Sequence, residues 1–294
     1  MAYAVGLLAM EHIAAGLVDG NRIVGPVRTY PREPDDDGSV LLALPEAEIL
    51  TAIAHLVDEV STGHAIGAVG VGFPGIILDG VVEDSPNLQQ MKGSPLSQRL
   101  SEALPSAPHV FVVNDADAVA AGVAATRGEL GTLTRVWTLG SGIGFGRHPH
   151  APGPWEGGHS VVSLDPKESL CGCGGQGHLE GIIGHRAMRL RFLDREPEEV
   201  FEQAAAGDAQ CAAFVRLWHR ALAAATATSI HLDGPGRFFL TGPNTRLVDR
   251  VMLASTLHDM VTMSPLQGSA FEIITKGDEL AIIGAAVGAR ERRP

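Results

Sequence analysis

Cysteine, basic charge and long apolar runs are all scarce in this chain, and each scarcity closes off a class of function. Only 3 of the 294 residues are cysteine, too few for the disulfide framework of a small exported domain, so a reducing cytoplasm is the expected setting. Two of them stand close together, and Cys211 lies alone in a helical run. Lysine and arginine total 22 against 34 acidic residues, a net charge of −12, which argues against a chain that grips nucleic acid through its phosphates. Arg290, Arg292 and Arg293 do gather near the C-terminus, but so short a stretch is a solvated tail. The start, Met-Ala-Tyr-Ala-Val, lacks the basic opening of a secretory leader, and no apolar run is long enough to span a bilayer. What is present, 45% hydrophobic and 19% charged residues, is the composition of a folded globule with room for one or two cores.

The periodicity predicts an alternating α/β chain. Strands are expected over residues 3–8, 13–18, 22–27, 66–72, 109–113, 135–139, 237–240 and 271–274. Helices are expected over 45–62, 95–104, 116–126, 177–191, 197–206, 208–231, 246–261 and 278–290. Asp19-Gly20-Asn21 and Asp79-Gly80 supply hairpin turns, the second within 76–82. Residues 31–38 form an acidic, proline-bearing loop. Each half opens with strands joined at a glycine turn and then alternates helix and strand. That implies two similarly built α/β lobes facing a cleft, 1–113 and 114–277, with the closing helix 278–290 packed back on the first.

The chemistry concentrates in Trp155-Glu156-Gly157-Gly158-His159 and in Cys171-Gly-Cys173-Gly-Gly-Gln-Gly-His178-Leu-Glu180. Cys171, Cys173 and His178 are zinc-type ligands set among glycines that let one knuckle, 159–180, wrap an ion, and His159 supplies a fourth. Four N/S ligands make a closed, structural zinc site. The competing reading is a flexible glycine loop with two incidental cysteines; spacing, ligand type and glycine content together favour zinc. Asn114-Asp115 falls where a strand gives way to a helix, so that a carboxylate projects outward as a base for a hydroxyl; alternatively Asp115 only caps the helix. Gly140-Ser141-Gly142-Ile143-Gly144-Phe145-Gly146 follows a strand and offers amides to an anion, with a plain glycine turn as the competing reading.

The run Glu156-x-Gly158-His159 ahead of Cys171-x-Cys173-Gly-x-x-Gly-x-x-Glu180 resembles the signature of the ROK family (repressor, open reading frame, kinase), with His178 in place of its usual third cysteine. The resemblance extends over nearly the whole chain. It implies a two-lobed actin-like, hexokinase-like ATPase fold with ribonuclease H-like lobes. It also implies a glucokinase-like activity on a hexose, an amino sugar or a sugar-like cyclitol, using ATP and magnesium, in a homodimer. By position, Asp115 is the implied general base, and Asn87, Asn114, Glu156, His159 and Glu180 the implied sugar contacts. Gly140, Ser141, Gly142 and Gly144 would meet phosphate, and Gly72-Phe-Pro-Gly75 would be a sugar-side loop.

Three stretches depart from that family pattern. The family's opening Asp-x-Gly-Gly-Thr-Lys turn, which holds magnesium and phosphates, falls on Leu7-Leu8-Ala9-Met10-Glu11-His12. Leu7 cannot bind a hard cation, Ala9 and Met10 occupy the path of the phosphates, and Glu11 repels a polyanion. Pro243, in Leu240-Thr-Gly-Pro243, stands where a glycine run adjoins the adenosine. Arg147 to Pro154 is shorter than the family's hairpin and carries His148 and His150. The sugar half is kept while the nucleotide half is eroded. A sugar kinase with a rebuilt phosphate site is the first reading. An enzyme that no longer uses ATP is the second: Glu11, His12 and Asp115 would do acid–base chemistry on a sugar or sugar phosphate, with Arg147, His148 and His150 taking its phosphate unless they are only surface residues. A sugar-binding pseudokinase is the third. A DNA-reading repressor is not expected, because no helix-turn-helix fits before residue 3.

Overall fold

The computed structural model describes residues 3–10, 12–32, 40–104, 109–151, 153 and 155–292. Glu11 and residues 33–38 of the acidic loop lie outside them. In chain order the elements are β1 (Tyr3–Ala9), β2 (Ile13–Asp19), β3 (Arg22–Tyr30), α1 (Val40–Ala43), α2 (Glu46–Ser61), β4 (Ile66–Phe73), β5 (Ile76–Leu78), β6 (Val81–Asp84), α3 (Leu96–Ala103), β7 (Val110–Asn114) and α4 (Asp115–Arg127). There follow β8 (Thr134–Leu139), β9 (Ile143–His148), α5 (Glu180–Ile183), α6 (His185–Arg191), α7 (Pro197–Ala205), α8 (Ala209–Asp233), β10 (Arg237–Thr241), α9 (Arg250–Met260), β11 (Ala270–Ile273) and α10 (Gly277–Glu291).

The chain forms two compact α/β units. The first comprises Met1–Thr134, Gly146–Trp155 and Lys276–Pro294. Its sheet has the order β3-β2-β1-β4-β7, with β1 antiparallel to β2 and parallel to β4. β1 is buried on both faces because its side chains alternate between two partners. Val5, Leu7 and Ala9 join Ile49, Ile53 and Leu56 of α2 in one core, while Ala4 joins Ile282 and Ala286 of α10 in another. α10 reaches the sheet only because glycines lie beneath it: a Cβ on Gly6 or Gly70 would fall on the carbonyl oxygen of Ile282 or Ala285. Gly122 of α4 and Gly284 of α10 likewise bring those two helices into backbone contact.

This packing places the unit boundary after α4, rather than near residue 113 as the sequence pattern implies. It also accounts for the return of residues 146–155. Gly146 lies flush against the Ala116 carbonyl at the start of α4, and the Arg147 amide donates to Asp117 Oδ1 at 2.8 Å. The closing helix does belong to the first unit.

The second unit comprises Arg135–Phe145 and Glu156–Thr275. Its sheet has the order β11-β10-β8-β9, with β10 parallel to both β8 and β11. Trp137 and Trp218 fill the core with Leu139, Ile182, Ile183 and Leu240, and each indole finds a partner: Thr226 Oγ1 at 3.1 Å and the Ile183 carbonyl at 3.3 Å. Two elements differ from the sequence reading. The expected helix over 177–191 is two short helices, because Gly184 between them is extended (φ −65°, ψ 141°). The glycine-rich run after β8 is mostly a strand, β9, leaving only residues 140–142 as a loop. No helix among the described residues is long and apolar enough to cross a membrane.

Gly70→Ala is therefore expected to destabilise the protein by about 3 kcal/mol or more, since backbone must move to admit the methyl group. Gly131→Ala, with nothing within 4 Å of the added Cβ, is expected to change stability by less than about 0.5 kcal/mol. Urea unfolding of both variants is the check.

Candidate active site

In the first unit the site is built around the junction of β7 and α4. Asn114, not Asp115, caps the helix: its Oδ1 accepts from the amides of Ala116 at 2.9 Å and Asp117 at 3.3 Å. Its Nδ2 donates to the Gly75 carbonyl at 3.0 Å, so one amide staples the helix start to the loop after β4 and keeps one N–H for a ligand. The Gly75 loop in turn lies against Asp84 and Ser85, and the exposed Asn87 follows in that turn. Asn87, Asn114 and Asp115 thus share one neighbourhood.

Relieved of capping, Asp115 is half-buried at the first helical position. Burial pushes its carboxyl from 3.8 up to about 6, with the nearby charge of Asp117 adding to the effect while the amides of Ala116 and Asp115 oppose it. Asp117, which drew no attention in the sequence, is 3% exposed. Besides the Arg147 amide it holds His150, whose Nδ1 is 3.3 Å from Oδ2. His148 is buried, with Nε2 3.1 Å from the Leu130 carbonyl. Neither histidine is a loose surface residue: His150 holds this segment on α4, and His148 holds it on the loop that follows that helix.

The end of β1, where the family pattern has its phosphate turn, is apolar among the described residues. Leu7 is wholly buried in the core beneath α2, and Leu8 and Ala9 are buried with it. His12 Nε2 is 3.2 Å from Asp278 Oδ2 at the start of α10.

In the second unit the knuckle closes on itself. The Val162 amide donates to the Gly177 carbonyl at 2.8 Å and the Leu179 amide to Ser160 at 2.9 Å, which lays 160–162 beside 177–179 and brings His159 to the cysteines. Ligand atoms of His159, Cys171, Cys173 and His178 all lie within 4.8 Å of one another. Cys173 Sγ is 3.2 Å from Nδ1 of each histidine and 3.4 Å from Cys171 Sγ, and Cys171 Sγ is 3.8 Å from His159 Nδ1. A tetrahedron with metal bonds of about 2.0–2.3 Å has edges of about 3.3–3.8 Å, close to these four distances, while the set as a whole extends to within 4.8 Å and could hold a metal ion. Burial, with Glu180 and Cys173 facing it, pushes the Cys171 thiol up to about 12. A cation is what would make it a thiolate at neutral pH.

Glu180 joins the knuckle to the glycine loop. Its Oε2 accepts the Ile143 amide at 3.1 Å, and its Oε1 accepts from Cys171 Sγ at 3.5 Å. Glu156 is exposed just ahead of His159. Gly144 is not part of the anion loop: it lies in β9, and its amide donates to Thr138 Oγ1 at 3.0 Å. Gly140 contributes its carbonyl inward, accepting from the His185 amide at 2.9 Å and from Asn244 Nδ2 at 3.1 Å. Ser141 is exposed at the tip of this loop, and the Gly140 amide donates to the Gly142 carbonyl at 3.1 Å. Asn244 is fully buried, and its place beside Pro243 gave no sign of this role. Next to Ser141 opens a groove of about 660 Å³ lined by His185, Arg186, Arg189, Leu193 and Arg195.

The ROK family model matches residues 43–292, a span that begins after the β1–β2 turn. A glucokinase from Pyrobaculum calidifontis is 29% identical over 281 residues, covering 90% of this chain and 92% of that one. Among solved structures, a ROK hexokinase from Thermus thermophilus superposes with a TM-score of 0.79 at 25% identity, covering 98% of each chain. A ROK glucokinase from Streptomyces griseus in complex with glucose and AMPPNP gives 0.68 at 24% identity, covering 99% of this chain and 100% of that one.

The raised Asp115 value has a thermodynamic consequence. Between about pH 4 and 6 the folded chain binds the proton more tightly than the unfolded one, so this carboxyl's contribution is present at low pH and lost as pH rises through about 6. Asp115→Asn is expected to melt higher than the wild type at pH 7.5, by about 1–3 kcal/mol, with the difference shrinking towards pH 4. Melting curves across that range are the check.

Proposed function

As this chain belongs to the ROK family, we propose that it is an ATP-dependent sugar kinase that phosphorylates a hydroxyl of a hexose. The observation that carries this is the strand-end carboxylate Asp115, freed from capping by Asn114 and raised to about 6. Such a group is ionised at neutral pH yet basic enough to accept the hydroxyl proton as the oxygen attacks phosphorus. The glucokinase and hexokinase identities of relatives spanning nearly the whole chain support the same reading.

The sugar contacts fall to Asn87, the remaining N–H of Asn114, Glu156, His159 and Glu180. His159 can serve two partners, because Nδ1 faces the cysteines and leaves Nε2 for a hydroxyl. We assign the His159, Cys171, Cys173 and His178 set to a structural zinc, which would neutralise the thiolates and fix the loop carrying the sugar-facing histidine. The residues present do not fit magnesium at the β1–β2 turn, where Leu7 offers only buried carbon. The non-kinase reading is less well supported, since His12 lies against Asp278, and His148 and His150 against Leu130 and Asp117, while Glu11 lies outside the described residues.

Two measurements test this. Asp115→Ala is expected to lower kcat for hexose phosphorylation by about 10²–10⁴-fold with little change in sugar affinity, and wild-type kcat is expected to fall about tenfold per unit below pH 6. Retention of more than a tenth of the activity in the variant would refute the assignment. Elemental analysis is expected to find about one zinc per chain, lost in Cys173→Ser together with sugar affinity; metal-free wild-type protein with unchanged sugar binding would remove zinc from the account.

A further inference from the structure

The phosphate donor needs positive charge or hydrogen-bond donors around its terminal oxygens, and the described side chains at the end of β1 supply neither. Leu7, Leu8 and Ala9 are buried in the core, and His12 is held by Asp278. A change there is no local accident of side chains, because withdrawing Leu7 would open a hole under α2. The second unit, by contrast, offers a groove of about 660 Å³ that begins at Ser141 of the anion loop and runs along α6, within the size range of nucleotide-sized pockets.

The groove's charges are not equally free. Arg195 is engaged with Asp208 at 3.8 Å and with Cys211 Sγ at 3.0 Å. Arg189 is paired with Glu196 at 2.9 Å, but both side chains are about half exposed (58% and 48%). So exposed a pair contributes little, and a phosphate oxygen displaces it readily. Arg186 forms no ion pair among the described residues; its guanidinium rests against Gly172 of the knuckle. The His185 backbone is fixed by the Gly140 carbonyl, and its Nδ1 lies 3.4 Å from Asn244 Oδ1. A loop braced at Gly140 and exposing Ser141 therefore adjoins one guanidinium with no ion pair among the described residues and one that is weakly held. Asp194, Glu196 and Glu199 also line the groove and limit it to a ligand that brings strong, localised negative charge to the Arg186 end.

We propose that this groove holds the polyphosphoryl chain of the donor, with Ser141, Arg186 and Arg189 replacing the phosphate turn that β1 and β2 do not form. This rests on the kinase reading and deepens it: the donor is neutralised by fixed guanidinium groups of the second unit rather than by a cation held at the β1–β2 turn. Guanidinium groups bind phosphate bidentately and keep their charge at any working pH.

The test is equilibrium binding to the intact protein by calorimetry, with three probes: ATP with magnesium, ATP with EDTA, and inorganic tripolyphosphate. ATP binding is expected to survive EDTA. Arg186→Ala and Arg189→Ala are each expected to weaken it by about tenfold, whereas Arg216→Ala, an exposed arginine of α8 outside the groove, should leave it unchanged. Competition by tripolyphosphate would identify the phosphate chain as the recognised part. Unchanged ATP affinity in both groove variants, abolition of binding by EDTA, or no competition from tripolyphosphate would each overturn the proposal. Both arginines are exposed, so the variants are expected to fold, as circular dichroism would confirm. Binding that follows this pattern while no sugar is phosphorylated would sink the kinase reading and leave the groove assignment standing.

Discussion

One carboxylate holds the second unit's chemistry in register. Glu180 begins α5, accepts the Ile143 amide where the anion loop enters β9, and faces the Cys171 thiol. The knuckle, the loop and the helix that leads on to Arg186 are therefore referred to a single side chain. Moving it would disturb all three together, because it touches each of them and the surrounding residues Leu179, Ile182 and Ile183 are fully buried. An interaction of this kind contributes less through its own energy than through the positions it imposes on neighbours.

The two units have diverged from the family pattern to different degrees. In the second, the four residues of the knuckle still gather into a group that could hold a metal ion, although a histidine stands where the family has a cysteine. In the first, Asn114 and Asp115 keep a strand-end carboxylate at the helix start, while Leu7 to Ala9 at the end of β1 are core. Leu7 packs with α2 as any inward strand residue would. What is a reactive turn elsewhere in the family is, here, part of the hydrophobic scaffold. The charge that a donor requires is found instead on exposed arginines of α6 beside the anion loop.

How much of this the sequence revealed depended on range. The knuckle was legible because its ligands sit within a few residues of each other, with His159 only a loop away, and ligand chemistry constrains such spacing tightly. The loss at Leu7 was legible for the same reason. Asn114 and Asp115 were found, but their division of labour was not: which of two adjacent residues caps a helix is decided by a backbone angle, and Asn114 took the role. Gly144 and Gly146 read as loop because glycine marks turns. They are strand residues, and Gly146 is small because α4 lies against it. Asp117, Asn244 and the groove arginines were missed. The partners of Asp117 and Asn244 lie 30 or more residues away, and the groove arginines lie outside any motif, so only the folded chain brings them to the site.

The measurement that tests the account most directly is sugar-stimulated ADP release by the purified protein, followed across a panel of hexoses and amino sugars with sugar phosphate quantified in parallel. The account predicts that at least one hexose raises ADP release and yields sugar phosphate in equal amount. A protein that binds sugar but releases no ADP in response to any of them would contradict it, and would make the buried Leu7 the mark of a site that no longer transfers phosphate.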